Sequence, residues 1–183
     1  MALDNTETAR LEVAKLYIAA FDRVPDSAGL DFWVNSYMSG TNTLDSLAQR
    51  FTESAEYKAA YPTYLTNTEY VERIYLNVFN RAADAGGSAY WAGEMAAGRL
   101  TNASLMKAMV DVASTNGSTD GQMLANQASF GVWAAVNQVP FATANAQLSS
   151  ITSVASTLTA AQTAVSGSAG ATIGQTYVLT VNS

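Results

Sequence analysis

The sequence predicts an all-α domain, and three observations carry that prediction. The chain repeats itself, each repeat spaces its apolar residues by three and four, and an uncharged segment after the repeats keeps the same spacing. Sliding the chain by 58 positions aligns Val13, Tyr17, Phe21, Arg23, Asp26, Gly29, Trp33, Gly40, Thr43, Ser46 and Leu47 with Val71, Tyr75, Phe79, Arg81, Asp84, Gly87, Trp91, Gly98, Thr101, Ser104 and Leu105, without a gap. Lys15 and Arg73, Leu16 and Ile74, Asp22 and Asn80, Phe32 and Tyr90, and Phe51 and Met109 are conservative pairs in the same register.

Each unit opens with an amphipathic helix, because Val13, Leu16, Tyr17, Ala20 and Phe21 share a face, as do Val71, Ile74, Tyr75, Val78 and Phe79. Arg23-Val-Pro-Asp26 and Arg81-Ala-Ala-Asp84 break it. Asp26 and Asp84 are placed to cap a second, short helix that carries Trp33 or Trp91 inward. Gly40 and Gly98 suit the left-handed turn after it, and Thr43 and Thr101 suit the cap of a third helix bearing Leu47 and Phe51, or Leu105 and Met109. Arg23 and Arg81 are expected to pair with the aspartate three residues on and to hold loose carbonyls of the turn.

The nine basic and fifteen acidic residues all fall between Asp4 and Asp120, so 121–183 carries no charge. Within it, Ala125 to Val139 reads as a helix stopped by Pro140, and Asn145 to Val165 as a second with one apolar stripe. Ser166 to Gly170 reads as a Gly/Ser linker, and Thr176 to Val181 as a strand that needs a partner. The expected organisation is therefore 1–120 as duplicated units (about 10–57 and 68–115), 121–165 as an uncharged helical segment packing on them, and 166–183 as a linker entering a β-domain. In total this is two similar three-helix units plus two further helices. The uncharged segment has two candidate roles, completing the repeats' core or making lattice contacts.

Composition excludes much chemistry. With no cysteine and no histidine there is no thiol nucleophile, disulfide frame, structural zinc cluster or Ser-His triad. A net charge of -6 with nine basic residues argues against a phosphate-tracking surface, so no nucleic-acid partner is expected. The first fifteen residues lack the basic patch and apolar run of a signal peptide, and no apolar run reaches the roughly 18 residues of a membrane span. Glu69 with Glu72, and Glu53 with Glu56, stand three apart like acid and base pairs, but exposed helical glutamates are usually solvated. Asp22, Asp26 and Asp31 are spaced too widely for a calcium loop.

At Tyr17-x3-Phe21-x-Arg23-x-Pro25-Asp26-x2-Gly29-x-Asp31-Phe32-Trp33, echoed by Tyr75-x3-Phe79-x-Arg81-x2-Asp84-x2-Gly87-x2-Tyr90-Trp91, the sequence resembles the bacterial domain-of-unknown-function family numbered 4214. Phe51-x2-Ser54-x-Glu56-Tyr57 looks like that family's continuation; the second copy lacks this tail and has Ala83 in place of the proline, so its third helix is expected to end differently. The resemblance covers roughly residues 10 to 115. It implies a secreted bacterial surface protein, of the surface-layer or RTX-type adhesin kind, exported by type I secretion. It also implies a non-enzymatic N-terminal module anchored to lipopolysaccharide O-antigen or a similar glycan and self-associating in a lattice. The alternative it implies is a protein-protein interaction module of a secreted adhesin.

For a glycan surface the expected residues are Tyr57, Tyr61, Tyr64 and Tyr70, which lie between the repeats, and Trp133 on the uncharged helix. The competing reading of those tyrosines is a connector with buried rings. Arg23, Asp26, Gly29, Trp33, Arg81, Asp84, Gly87 and Trp91 are expected to be structural. No cofactor is expected in this segment; calcium is assigned to the downstream part or the lattice.

Overall fold

A computed structural model describes residues 5–115 and 117–168, so the expected strand at Thr176 to Val181 and the end of the linker lie outside the described residues. Ten α-helices follow one another: α1 (Asn5–Phe21), α2 (Ser27–Met38), α3 (Leu44–Glu53), α4 (Ala55–Ala60), α5 (Asn67–Phe79), α6 (Ala85–Ala96), α7 (Asn102–Thr115), α8 (Thr119–Val136), α9 (Phe141–Asn145) and α10 (Ala155–Val165). Two 3₁₀ turns, Leu148–Ser150 and Ser166–Ser168, complete the described chain, which contains no strand. The fold is all-α, as the periodicity predicts.

The helices begin where side chains cap them. Asp26 and Asp84 accept from the amides of Gly29 and Gly87, each at 2.8 Å. Thr43 and Ser46 close a reciprocal capping box at α3, Thr66 and Glu69 close one at α5, and Thr101 and Ser104 exchange the same bonds at the start of α7. Gly40 and Gly98 take φ of 74° and 71°, the left-handed turn expected of them.

Packing then sets these helices around one core. α1, α5 and α8 pack on one another, α3 and α7 close a second layer, and α2 and α6 lie against their own units. Val13, Leu16, Val71, Ile74, Leu47, Leu105, Met109, Leu124 and Phe130 belong to the same buried cluster. The uncharged segment therefore completes the core: α8 is inserted between the two units, and α10 covers it through Leu158, Ala161 and Val165.

Two boundaries differ from expectation. α8 begins at Thr119, six residues ahead of the predicted Ala125. The predicted helix over Asn145 to Val165 is broken between α9 and α10 by a 3₁₀ turn and an extended stretch. Buried amides on α8 favour the break. Asn126 donates to the Thr152 carbonyl at 2.8 Å, and Gln127 donates to the Leu148 carbonyl at 3.3 Å, so freed backbone acceptors find partners outside a helix.

The backbone also carries a partial third copy. Asp22, Asn80 and Gln138 are the positive-φ residues other than glycine among the described residues, at 50°, 49° and 53°, and they are spaced by 58 and again by 58. Each ends a core helix, α1, α5 or α8, and each precedes a short helix, α2, α6 or α9. Between Ser54 and Asn80 the chain makes α4, a connector and α5, whereas between Ser118 and Gln138 it makes one helix that is six residues shorter. Both serines cap, accepting from the amides of Tyr57 and Gly121 at 3.1 Å. The third copy thus fuses α4 and α5 by losing the connector.

Candidate functional site

The repeat motif is a packing device in both units. The site for a methyl group on Gly29 lies 2.4 Å from the Tyr17 hydroxyl, and that on Gly87 lies 2.6 Å from the Tyr75 hydroxyl. Tyrosine on the first helix and glycine on the second are therefore one requirement, repeated at 58 residues. Trp33 and Trp91 are partly buried against the core, with Trp33 edge-on to Phe51 at 5.4 Å.

Arg23 and Arg81 hold turn carbonyls as expected, donating to Val24 at 3.0 Å and Ala82 at 3.4 Å, but each has a closer carboxylate partner than the aspartate three residues on. Arg23 forms a two-pronged pair with Glu56 on α4, at 2.5 and 2.8 Å, while Asp26 stands at 3.8 Å. Its guanidinium also lies over the rings of Tyr17, Phe21 and Phe141, at 5.0 to 5.2 Å. Arg81 pairs with Asp120 on α8 at 3.0 Å and lies over Tyr75 and Phe79. Glu56 and Asp120 each sit two residues after a capping serine, Ser54 or Ser118. The family-like Ser-x-Glu tail therefore has a counterpart in the second unit, Ser118-x-Asp120, which the fixed register of 58 hides because α7 runs past the end expected from α3.

The tyrosine connector is mostly interior. Tyr57, Tyr61 and Tyr70 are buried and only Tyr64 is open, at 83% exposure. Tyr70 donates to the Asn102 carbonyl at 2.8 Å, leaving Tyr57 to donate to Tyr70 at 2.5 Å. Asn77 donates to the Tyr61 hydroxyl at 2.8 Å and to the Ala19 carbonyl at 2.9 Å, tying the connector to α1. Tyr57, Tyr61 and Tyr70 therefore offer no free ring face to a sugar. Tyr61 and Tyr70 do help to line a surface cleft of ≈ 300 Å³ with Thr63, Asn67 and Asn102. Trp133 is partly buried and stacked on Phe130 at 6.1 Å.

Burial pushes the Tyr17 and Tyr61 hydroxyls up to about 12, and raises Tyr57 and Tyr70 as well. A folded pKa above the unfolded one favours the neutral form, so this stability is complete below about 10 and is lost as pH rises from there through about 12. An alkaline titration is expected to show these tyrosines ionising together with loss of helical circular dichroism. Reversible ionisation of all nine tyrosines near the ordinary value, with helicity intact, would contradict the buried network.

The carboxylate pairs considered from sequence are occupied locally. Glu69 closes its capping box with Thr66, Glu72 accepts from the Ala83 amide at 3.2 Å, Glu53 pairs with Arg50 at 3.6 Å, and Glu56 holds Arg23. Among the described residues no group of three or more acidic side chains is arranged to hold a metal ion. No helix of the described residues is long and apolar enough to cross a membrane.

Two aromatic rings have no role in the core. Phe32 is 63% exposed and Tyr90 is 59% exposed, at matching positions of α2 and α6. Each stands edge-on to its neighbouring tryptophan, Phe32 to Trp33 at 4.8 Å and Tyr90 to Trp91 at 5.1 Å. Asn35 and Ser36 follow Phe32 by a turn, and Glu94 follows Tyr90. The sequence pairs Phe32 with Tyr90; the signal for a surface role was an aromatic at one register position in both units, directly before an inward tryptophan.

Fold and site together define a tandem helical-repeat domain whose shared residues cap helices, seat tyrosines against glycines and clamp arginines between units. The family model described as Domain of unknown function (DUF4214) matches residues 7–61 and again residues 48–116, and the chain belongs to this family. The stretch matched twice, 48–61, spans the end of α3 and all of α4, so the element that supplies Glu56 closes one copy and opens the next. No curated protein and no solved structure matches the chain.

Proposed function

We propose that this chain is a non-enzymatic attachment module of a secreted bacterial surface protein of the S-layer kind. It binds lipopolysaccharide O-antigen or a similar surface glycan, and self-association in a lattice adds to the hold. The observation that carries this reading is the paired display of Phe32 and Tyr90. Isolated exposed apolar residues are ordinary on any surface, but an exposed aromatic ring at the same place in two units is a repeated feature. A ring face suits the C–H face of a sugar, and nearby amide, hydroxyl and carboxylate groups suit its hydroxyls. Two such points on one rigid domain suit a repeating polymer, where the second contact gains from a high effective concentration.

The test is binding of the purified chain to lipopolysaccharide vesicles with and without O-antigen, alongside the Phe32→Ala/Tyr90→Ala double variant. Binding that depends on O-antigen and falls roughly tenfold or more in the double variant is the expected result. Binding indifferent to O-antigen ends the glycan reading. Retention on an envelope protein instead supports the adhesin interaction module.

A further inference from the structure

Not every basic side chain of this domain meets a carboxylate: Lys58 and Arg73 make no ion pair among the described residues, and Arg73 donates instead to the Ala60 carbonyl. Arg10 makes no ion pair among the described residues, and its Nε is buried without a hydrogen-bond partner. Among the described residues Arg10 Nε is the only buried side-chain nitrogen left without a partner. A buried donor left unmade costs free energy, which an incoming acceptor recovers.

Arg10 lines a surface cleft of ≈ 190 Å³ between the first turn of α2 and the end of α8, together with Ser27, Asp31 and Gln138. A second cleft of ≈ 220 Å³ continues from it, sharing Ser27, Ala135 and Gln138 and reaching Val24, Pro25 and the exposed Phe141. Together they fall in the lower part of the range of volumes, about 300–1,000 Å³, typical of small-ligand sites. The groove is thus graded: a cation at one end, hydroxyl, amide and carboxylate groups along its floor, and an apolar wall with an aromatic ring at the other end. The third unit creates it, because Gln138 enters the groove from the left-handed turn that ends α8.

We propose that this groove binds a carboxylate-bearing saccharide, a uronate-type residue, with Arg10 taking the carboxylate. The planar guanidinium matches a carboxylate with two parallel hydrogen bonds, and neutral sugar has no group to use it. Ser27, Asp31 and Gln138 take the ring hydroxyls, and Phe141 meets the less polar face of the next sugar. The carboxylate is read from Arg10 alone; only the choice of a sugar to carry it rests on the attachment reading.

The experiment is a calorimetric titration of the full chain with a galacturonate trisaccharide, using the galactose trisaccharide as the neutral probe. The acidic probe is expected to bind more tightly, and Arg10→Gln to weaken it by about ten- to a hundredfold, as charged hydrogen bonds do, while leaving the neutral probe unchanged. Gln138→Gly tests the groove without touching α1, since glycine accepts the left-handed φ, and it is expected to weaken both probes. The Phe32→Ala/Tyr90→Ala variant is expected to keep the preference for the acidic probe, which separates this groove from the aromatic pair. Equal affinity for the two probes, an unaffected Arg10→Gln, or no binding of the acidic probe overturns the proposal.

Discussion

Replacing Phe130 with alanine is expected to lower the stability of the domain by about 3–5 kcal/mol, the range for removing a fully enclosed aromatic side chain. Phe130 has 0% exposure and belongs to the same buried cluster as residues of α1 and α5. Its helix packs against both, so the cavity opens at the junction of the two units and the partial third, where collapse from any one side is resisted by the other two. The loss is a large part of the roughly 5–15 kcal/mol that holds a typical domain together. Urea unfolding followed by circular dichroism measures it. A loss below about 1 kcal/mol would mean that the uncharged segment rests on the repeats instead of filling them, and would return it to a lattice role.

Gly121→Ala is expected to cost about 3 kcal/mol, the upper end of overpacking penalties. A methyl group there would stand 2.1 Å from the Ala113 carbonyl oxygen, and the obstacle is backbone, which cannot rotate aside as a side chain does. The substitution would push apart the corner between α7 and α8, where Ser118 caps α8 and Asp120 holds Arg81. Gly93→Ala is the control of opposite sign. It lies within α6 with nothing within 4 Å of the added methyl, so the better helix propensity of alanine is expressed in full and stability rises by about 1 kcal/mol. Thermal unfolding of both variants decides the matter: a neutral or stabilising Gly121→Ala would show that the α7 to α8 corner yields easily.

The helices and their starts were legible because they are set within a few residues. Asp26 and Asp84 bond amides three residues ahead, Thr43 and Thr101 pair with serines three residues ahead, and apolar residues one turn apart share a face. The register of 58 transferred each of these from one unit to the other. The partner of an arginine is a different kind of fact. Arg23 has Asp26 close by in sequence, yet the shorter pair is with Glu56, brought in by α4 from thirty-three residues away. The connector tyrosines left two readings open, a glycan surface or a connector with buried rings, and three of the four rings turn inward because Asn77 and the Asn102 carbonyl supply partners.

Composition alone established where the charge stops, at Asp120, and left the meaning of the neutral remainder open between core and lattice. Tertiary structure decided it. A helix without charge beyond its first turn can sit against two others without desolvating an ion, and α8 does so after Asp120, meeting its neighbours with Leu124, Ala128 and Phe130 and fixing the following turn with buried amides. The third occurrence of the left-handed helix end at Gln138 was likewise invisible to residue identity, since glutamine lacks the short side chain that suits Asp22 and Asn80 to this backbone angle. What the chain by itself determined is the set of local hydrogen bonds and the period that repeats them. What only the folded molecule decided is which helix lies between which, and therefore which rings stay outside, which carboxylate meets each arginine, and which arginine is left facing a groove.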